Sequence, residues 1–419
     1  MAKFIIEGGH KLSGAIEVGG AKNAAIKIIP AALLSEEPIT ITNLPQIEDI
    51  ERCLEIVQDL GGSVSRTDTT CQIHIPAIKT NQINPELANK MRASVMFVGP
   101  LLARTGEVKF PHPGGCVLGA GTRPIDFFLD GWQAMGATVT IEANNYHLQA
   151  KELKGCEYFF PAVSVTGTES LMMTAVLAKG TTILKNCAME PEITALADYL
   201  VSQGANITGS GSPTMTIVGV DKLSAGTYDI IPDRIEAGTL AILAAATNSN
   251  LKITNCLPNH IEALLDIFKK IKVPFVVGPD WLEIKTHQGL APHNIKTHEY
   301  PGFPTDLQSP YTVLMTQANG SSIIHETIYD RRLLFTDMLT QMGANIIMCD
   351  PHRVVVNGPT PLAGHKLTSP DLRAGISMVI AGLMAEGQTE IDNIYQIDRG
   401  YANIDGRLRQ LGAKITRAE

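Results

Sequence analysis

No apolar stretch in this chain is long enough to cross a bilayer. The longest weakly polar runs, Gly238 to Thr247 and Met378 to Met384, reach about half the length of a membrane-spanning helix. The opening residues, Met-Ala-Lys-Phe-Ile-Ile-Glu-Gly-Gly-His, contain neither an apolar core nor a cleavage signature, so no signal peptide is expected. Positive charge is not in excess: 34 Lys and Arg against 42 Asp and Glu leave a net charge of −8. That balance argues against a general nucleic-acid or membrane-surface binder, which needs broad basic stripes. Any anionic substrate must therefore be met by positive charge concentrated in one pocket. The seven cysteines (Cys53, Cys71, Cys116, Cys156, Cys187, Cys256 and Cys349) are scattered, form no CxxC pair and build no closely spaced set of four Cys and His ligands. A reducing cytoplasm, without structural disulfides or zinc, follows. A Ser/Gly-rich linker is also missing, although 419 residues are too many for one ordinary core and suggest two or three domains.

What is present is a repeat. Five times a helix-like run ends in Gly-(Gly/Ala)-x-β-branched, around Gly61, Gly136, Gly204, Gly343 and Gly412, with a hydrophobic residue before the glycine in all but Gln203-Gly204. A degraded copy stands at Ile271-Lys272-Val273, with Lys272 in place of the glycine, and the six copies are 68–75 residues apart. Each glycine fits a helix C-terminus entering a strand, where positive φ is cheap only for glycine. Mid-unit phrases agree: Ala31 to Asn43, Ala175 to Asn186 and Ala381 to Asn393 each read as a helix end, a turn and an alternating strand closing on Asn. Each unit reads helix, strand, helix, strand, with a further strand before the next. Three units of about seventy residues make a domain, two domains fill the chain, and the boundary is expected near Thr227 to Pro232. A cleft between such lobes is a frequent substrate site.

Polar clusters recur at the start of each unit's first helix: Ala21-Lys22-Asn23, Met91-Arg92-Ala93-Ser94, Val163-Ser164-Val165, Asp233-Arg234-Ile235-Glu236, Thr305-Asp306-Leu307 and Asp371-Leu372-Arg373. Helix N-termini favour phosphate and carboxylate, and Lys22, Arg92 and Arg373 add full charges. Taken singly, Asp306, Asp371 and Ser164 read rather as N-caps and the cations as surface residues; six clusters together shift the balance toward a shared site. One segment breaks the repeat. Pro111 to Pro124 is rich in Gly and Pro and places Cys116 at a loop tip with Arg123 nearby. Such a thiol is either an activated nucleophile or acid, or an inert packing residue. The other six cysteines lie in helix- or strand-like runs and read as packing.

These motifs resemble the UDP-N-acetylglucosamine 1-carboxyvinyltransferase family over essentially the whole chain. The matching stretches are Gly20 to Ala25, Met91 to Ser94, Pro113 to Cys116, Arg123 to Asp126, Glu190 to Ile193, Pro232 to Glu236, Phe303 to Asp306, Asp371 to Ala374 and Ile397 to Tyr401. The resemblance implies an α/β fold, a two-domain inside-out α/β barrel of six repeats (the enolpyruvyl transferase fold), with lobes 22–230 and 1–21 plus 231–419. It implies transfer of the enolpyruvyl group of phosphoenolpyruvate to the 3-hydroxyl of UDP-N-acetylglucosamine, in peptidoglycan synthesis. It assigns catalytic roles to Cys116 as acid at C3, Asp306 as base for the sugar hydroxyl, Lys22 and Arg399. Phosphoenolpyruvate would be held by Lys22, Asn23, Arg123, Arg373 and Arg399. The UDP-sugar would be held by Asn23, Arg92, Arg123, Pro124, Ile125, Asp126, Phe127, Ser164, Val165, Asp306 and Ile328. No cofactor or metal is implied, because phosphoenolpyruvate is already activated, and no nucleic-acid or membrane partner is implied either. Six residues, Val117 to Thr122, separate Cys116 from Arg123, two more than the family's usual four. The rivals are 5-enolpyruvylshikimate-3-phosphate synthase, which works without a loop cysteine, and a non-catalytic UDP-sugar-binding regulator.

Overall fold

The computed structural model describes residues 2–112, 125–142 and 145–419. Two compact units are present. One runs from Gly20 to Ile231; the other combines the N-terminal segment up to Gly19 with Pro232–Glu419.

Each unit is built around three buried helices. In the first these are Lys22–Ala31, the 3₁₀ stretch Arg92–Phe97 continuing as Val98–Thr105, and Val165–Ala175. In the second they are Arg234–Ala246, Gln308–Met315 and Leu372–Met384. They are buried around most of the circumference, polar residues included, and apolar runs such as Ala241-Ile-Leu-Ala-Ala-Ala246 have no face to give to water. Helix Arg234–Ala246 buries twelve of its thirteen residues. The later helix of each repeat is amphipathic instead. In Glu48–Asp59 the residues Ile50, Cys53, Leu54 and Val57 are buried at the i, i+3, i+4, i+7 spacing of one helical face.

Six sheets are found among the described residues, five of four strands and one of three. Their strands alternate buried and exposed positions, so each sheet turns one face inward to the helices and one to solvent. Helices inside and sheets outside is the inversion that the repeat and the resemblance predict. In five sheets the mid-repeat strand has a parallel neighbour, either the strand just before its repeat or one brought from a distant part of the chain. Thus Ile39–Thr42 pairs with Gly226–Asp229, Asn250–Thr254 with Ser13–Glu17, and Gly320–His325 with Ile295–Lys296. The N-terminal strand Lys3–Glu7 lies between Gln388–Asp392 and Lys414–Ala418.

The turn glycines behave as their position requires. Gly61, Gly136, Gly204, Gly343 and Gly412 all have φ between 96° and 103°, and Lys272 holds the equivalent place at φ 65°. A lysine there carries the strain that glycine avoids, which accounts for the degraded motif without loss of the turn.

Candidate functional site

In the first unit, the helix Lys22–Ala31 starts at Ala21, which is extended at its N-cap and offers no side-chain cap. Lys22 is buried, and its Nζ lies 2.7 Å from Asp49 Oδ2. Asn23 is half-buried beside it, and its carbonyl accepts from Lys27 Nζ at 2.7 Å. Lys27 in turn forms a 3.3 Å ion pair with the wholly buried Glu169. Burial pushes the Glu169 carboxyl up to about 7; Lys27 opposes the rise, and Glu192 and Glu190 add to it. Arg92 is half-buried at the start of its 3₁₀ turn, where an α-helix start is expected from sequence. Ser164 caps the helix Val165–Ala175, accepting from Gly167 N at 3.1 Å, with Val165 half-buried next to it. Ile125 is buried, Asp126 exposed and Phe127 half-buried at the start of Asp126–Ala134. The assignments to Cys116, Arg123 and Pro124 lie outside the described residues.

The second unit carries a denser network. Asp306 sits in the 3₁₀ turn Thr305–Leu307, which has Pro304 at its N-cap, so its carboxylate caps nothing. Two guanidinium groups hold it instead: Arg332 Nη2 at 2.8 Å from Oδ1, and Arg373 Nη2 at 2.9 Å from Oδ2. Burial alone would raise the Asp306 pKa, but Arg373 and Arg332 outweigh it and hold the group far below the usual carboxylate range. About a quarter of the Asp306 side chain stays exposed. Arg373 is buried in the first turn of Leu372–Met384, whose N-cap Asp371 accepts from Arg373 N at 2.7 Å and Ala374 N at 3.1 Å. Its Nη1 donates to the Tyr401 hydroxyl at 3.1 Å, which stands 3.1 Å from Thr239 Oγ1. The guanidinium is thus fixed from both sides. Against the cost of burial, Asp306 and Tyr401 raise the Arg373 pKa, so it stays charged.

Ser164 and Asp371 therefore act as caps at the helix starts where the sequence clusters polar residues. Asp306 departs from the capping alternative. Ile328 is half-buried and its amide donates to Glu326. Arg399 is half-buried, with Nη1 3.1 Å from Gln396 Oε1.

Sequence reasoning missed Arg332, Glu326 and Asp49. Arg332 is 5% exposed while its neighbour Arg331 is exposed, and Arg331 holds φ 61°, turning the second arginine inward. The repeat offered a signal for Glu326, which stands where Asn43, Asn186, Asn255 and Asn393 follow the equivalent strands. The expectation that all cysteines other than Cys116 serve packing is corrected. Cys53, Cys71, Cys187 and Cys256 are buried, but Cys156 is half-buried and Cys349 exposed on Asn345–Asp350. Burial pushes the thiols of Cys71, Cys187 and Cys256 up to about 11, which keeps them protonated and inert. Among the described residues, no helix is long and apolar enough to cross a membrane.

Comparison with known proteins agrees with this architecture. Residues 6–408 match the family model described as EPSP synthase (3-phosphoshikimate 1-carboxyvinyltransferase). The chain is 44% identical, over its whole length and 96% of the relative, to a UDP-N-acetylglucosamine 1-carboxyvinyltransferase of Koribacter versatilis. It is 42% identical, over 99% of its length and 98% of the relative, to UDP-N-acetylglucosamine 1-carboxyvinyltransferase 2 of Listeria monocytogenes. Among solved structures it is similar to the enolpyruvyl transferase NikO from Streptomyces tendae, at a TM-score of 0.90 and 23% identity, covering all of this chain and 99% of that one. It is also similar to the EPSP synthase of Acinetobacter baumannii, at 0.75 and 18%, covering all of both chains. These likenesses give the enolpyruvyl transferase fold. With 42–44% identity across full length, the chain belongs to the UDP-N-acetylglucosamine 1-carboxyvinyltransferase family and is a carboxyvinyl-transferring enzyme.

Proposed function

We propose that this enzyme transfers the enolpyruvyl group of phosphoenolpyruvate to the 3-hydroxyl of UDP-N-acetylglucosamine, in the cytoplasm, as the first committed step of peptidoglycan synthesis. The observation that carries the reading at the level of the site is Asp306, ionised and gripped by Arg332 and Arg373. In addition, the sugar O3 bonds to C2 of phosphoenolpyruvate, the hydroxyl proton passes to Asp306, and C3 takes a proton from the Cys116 thiol. In elimination, C3 returns a proton to the Cys116 thiolate left by the addition, the C2–O bond to phosphate breaks, and phosphate departs with the electron pair. A carboxylate held so far below its usual range is a weak base, so it takes the proton late, once C–O bonding has made the hydroxyl acidic.

Phosphoenolpyruvate is met by Lys22, Asn23, Arg123, Arg373 and Arg399. Arginine suits its carboxylate and phosphate because the planar fork binds either in two-point fashion. Their charges stabilise the departing phosphate. The UDP-sugar is met by Asn23, Arg92, Ser164, Val165, Asp306 and Ile328, and by Arg123 to Phe127. The shikimate alternative is disfavoured by identity: 18% to the EPSP synthase against 42–44% to the UDP-N-acetylglucosamine transferases.

The test is phosphate release from phosphoenolpyruvate with UDP-N-acetylglucosamine or shikimate 3-phosphate offered separately. Release with the sugar nucleotide alone is expected. Release only with the shikimate ester would transfer the enzyme to the rival activity. Binding of the sugar nucleotide without turnover would make it a regulator.

A further inference from the structure

Four repeats end their central strand on the same residue in the same pose. Asn43, Asn186, Asn255 and Asn393 directly follow the strands Ile39–Thr42, Thr181–Lys185, Asn250–Thr254 and Gln388–Asp392. All four have φ between 51° and 60°. Each donates Nδ2 to the carbonyl of the residue opposite on the parallel neighbour: Ile230 at 2.8 Å, Phe160 at 2.9 Å, Val18 at 2.7 Å and Ser369 at 2.8 Å. This is a structural tie, an amide clipping two strands where their ladder stops.

In the fifth repeat the residue after Gly320–His325 is Glu326, and the tie is reversed. Opposite it is Thr297, whose carbonyl is already taken by the Thr327 hydroxyl at 2.5 Å. Glu326, fully buried, turns its carboxylate inward and accepts from four donors. These are Thr297 Oγ1 at 3.1 Å, Ile328 N at 2.8 Å, Tyr329 N at 3.1 Å and Thr305 Oγ1 at 2.8 Å. Three of these donors converge on Oε1 and the fourth, Thr305, is bound by Oε2, so both carboxylate oxygens are engaged as acceptors. Thr305 also accepts from Arg332 Nη1 at 2.9 Å, and Arg332 holds Asp306. An asparagine at this place offers a single acceptor oxygen and cannot satisfy this set. The negative charge of Glu326 also helps to keep the buried Arg332 charged.

We infer that Glu326 is a positioning residue for the acceptor side of the reaction: it replaces the repeat's strand tie with a buried anion that sets the Ile328–Tyr329 backbone directly and Asp306 through Thr305 and Arg332. The inference rests on the proposed transferase activity, for which Ile328 and Asp306 meet the sugar nucleotide. The fold has no need of a carboxylate here, since four sister positions manage with an amide; the need is local to the segment that carries Ile328 and Arg332.

Four full-length proteins test it: wild type, Glu326→Gln, Glu326→Asn and, as the strand-tie control, Asn255→Ala. Phosphate release is followed with UDP-N-acetylglucosamine and phosphoenolpyruvate varied in turn, together with melting temperature and amide exchange over residues 326–332. Both Glu326 variants are expected to raise the acceptor KM and lower kcat by about tenfold each, with the phosphoenolpyruvate KM within about threefold. Exchange at 326–332 accelerates by about tenfold in the same variants. Asn255→Ala lowers the melting temperature while keeping the kinetic constants within about twofold of wild type. Folded Glu326 variants with wild-type acceptor constants would overturn the inference, as would equal losses in Asn255→Ala. If wild type itself releases no phosphate with the sugar nucleotide, the activity reading fails on its own, and exchange decides: unchanged protection at 326–332 removes the positioning role, and lost protection keeps it.

Discussion

Arg373 and Asp306 stand 2.9 Å apart, sixty-seven residues distant in sequence and from different repeats of the second unit. Arg373 is brought there by a capped helix and pinned by Tyr401; Asp306 is brought by a 3₁₀ turn and pinned by Arg332. The pair joins the group assigned to the sugar hydroxyl with one assigned to phosphoenolpyruvate.

Removing the charge from this pair separates chemistry from binding. Asp306→Asn is expected to lower kcat by at least about a hundredfold, because an amide cannot take the hydroxyl proton. Arg332→Lys is expected to cost about tenfold, since one ammonium cannot reproduce the fork that spans Thr305 and Asp306. Steady-state kinetics on the two variants and their combination check this. Losses that multiply in the double variant would mean that Arg332 does not act through Asp306.

The loop cysteine is tested by two substitutions that differ in acidity. Cys116→Ser is expected to lose most turnover, while Cys116→Asp keeps a measurable part because a carboxylic acid can still deliver a proton to C3. Phosphate release at saturating substrates reads the result; near-wild-type rates for both would take the thiol out of the mechanism.

Glu169 predicts a pH dependence of stability. Its folded pKa of about 7 lies above the ordinary carboxylate value, so the native state holds a proton there that the unfolded chain has released. Stability from this group is therefore complete below about pH 4 and declines as pH rises through 7. Glu169→Gln, which stays neutral, should gain on wild type as pH increases from 5 to 8, by an amount on the order of 2 kcal/mol. Chemical denaturation at several pH values measures the gap, and a gap that narrows with rising pH would reverse the assignment.

Lys272 is the one repeat turn without glycine. Lys272→Gly is expected to stabilise the second unit by about 0.5–1 kcal/mol, because relief of the left-handed strain exceeds the entropy that glycine adds to the unfolded chain. A denaturation midpoint unchanged or lowered would show the strain to be absorbed elsewhere.

The six-fold repeat, the turn residues and the apolar inner helices were determined by the sequence alone, because each depends on local periodicity and backbone preference. The placement of Lys22, Ser164, Asp306 and Arg373 at helix starts was legible for the same reason, since the repeat locates those starts. What the tertiary structure decided is which of those charges are partnered, and by what. The pairing of Lys22 with Asp49 joins a helix start to the next helix of the same repeat. The grip of Arg332 and Arg373 on Asp306 joins segments dozens of residues apart. Hydrogen bonding at 3 Å and desolvation depend on positions fixed only when the repeats close on one another, so a sequence pattern can place a charge at a helix end without naming its counter-charge. Glu326 lies on the boundary between the two. The sequence marks it as the exception to a run of asparagines, and only the folded chain shows the four donors that make the exception necessary.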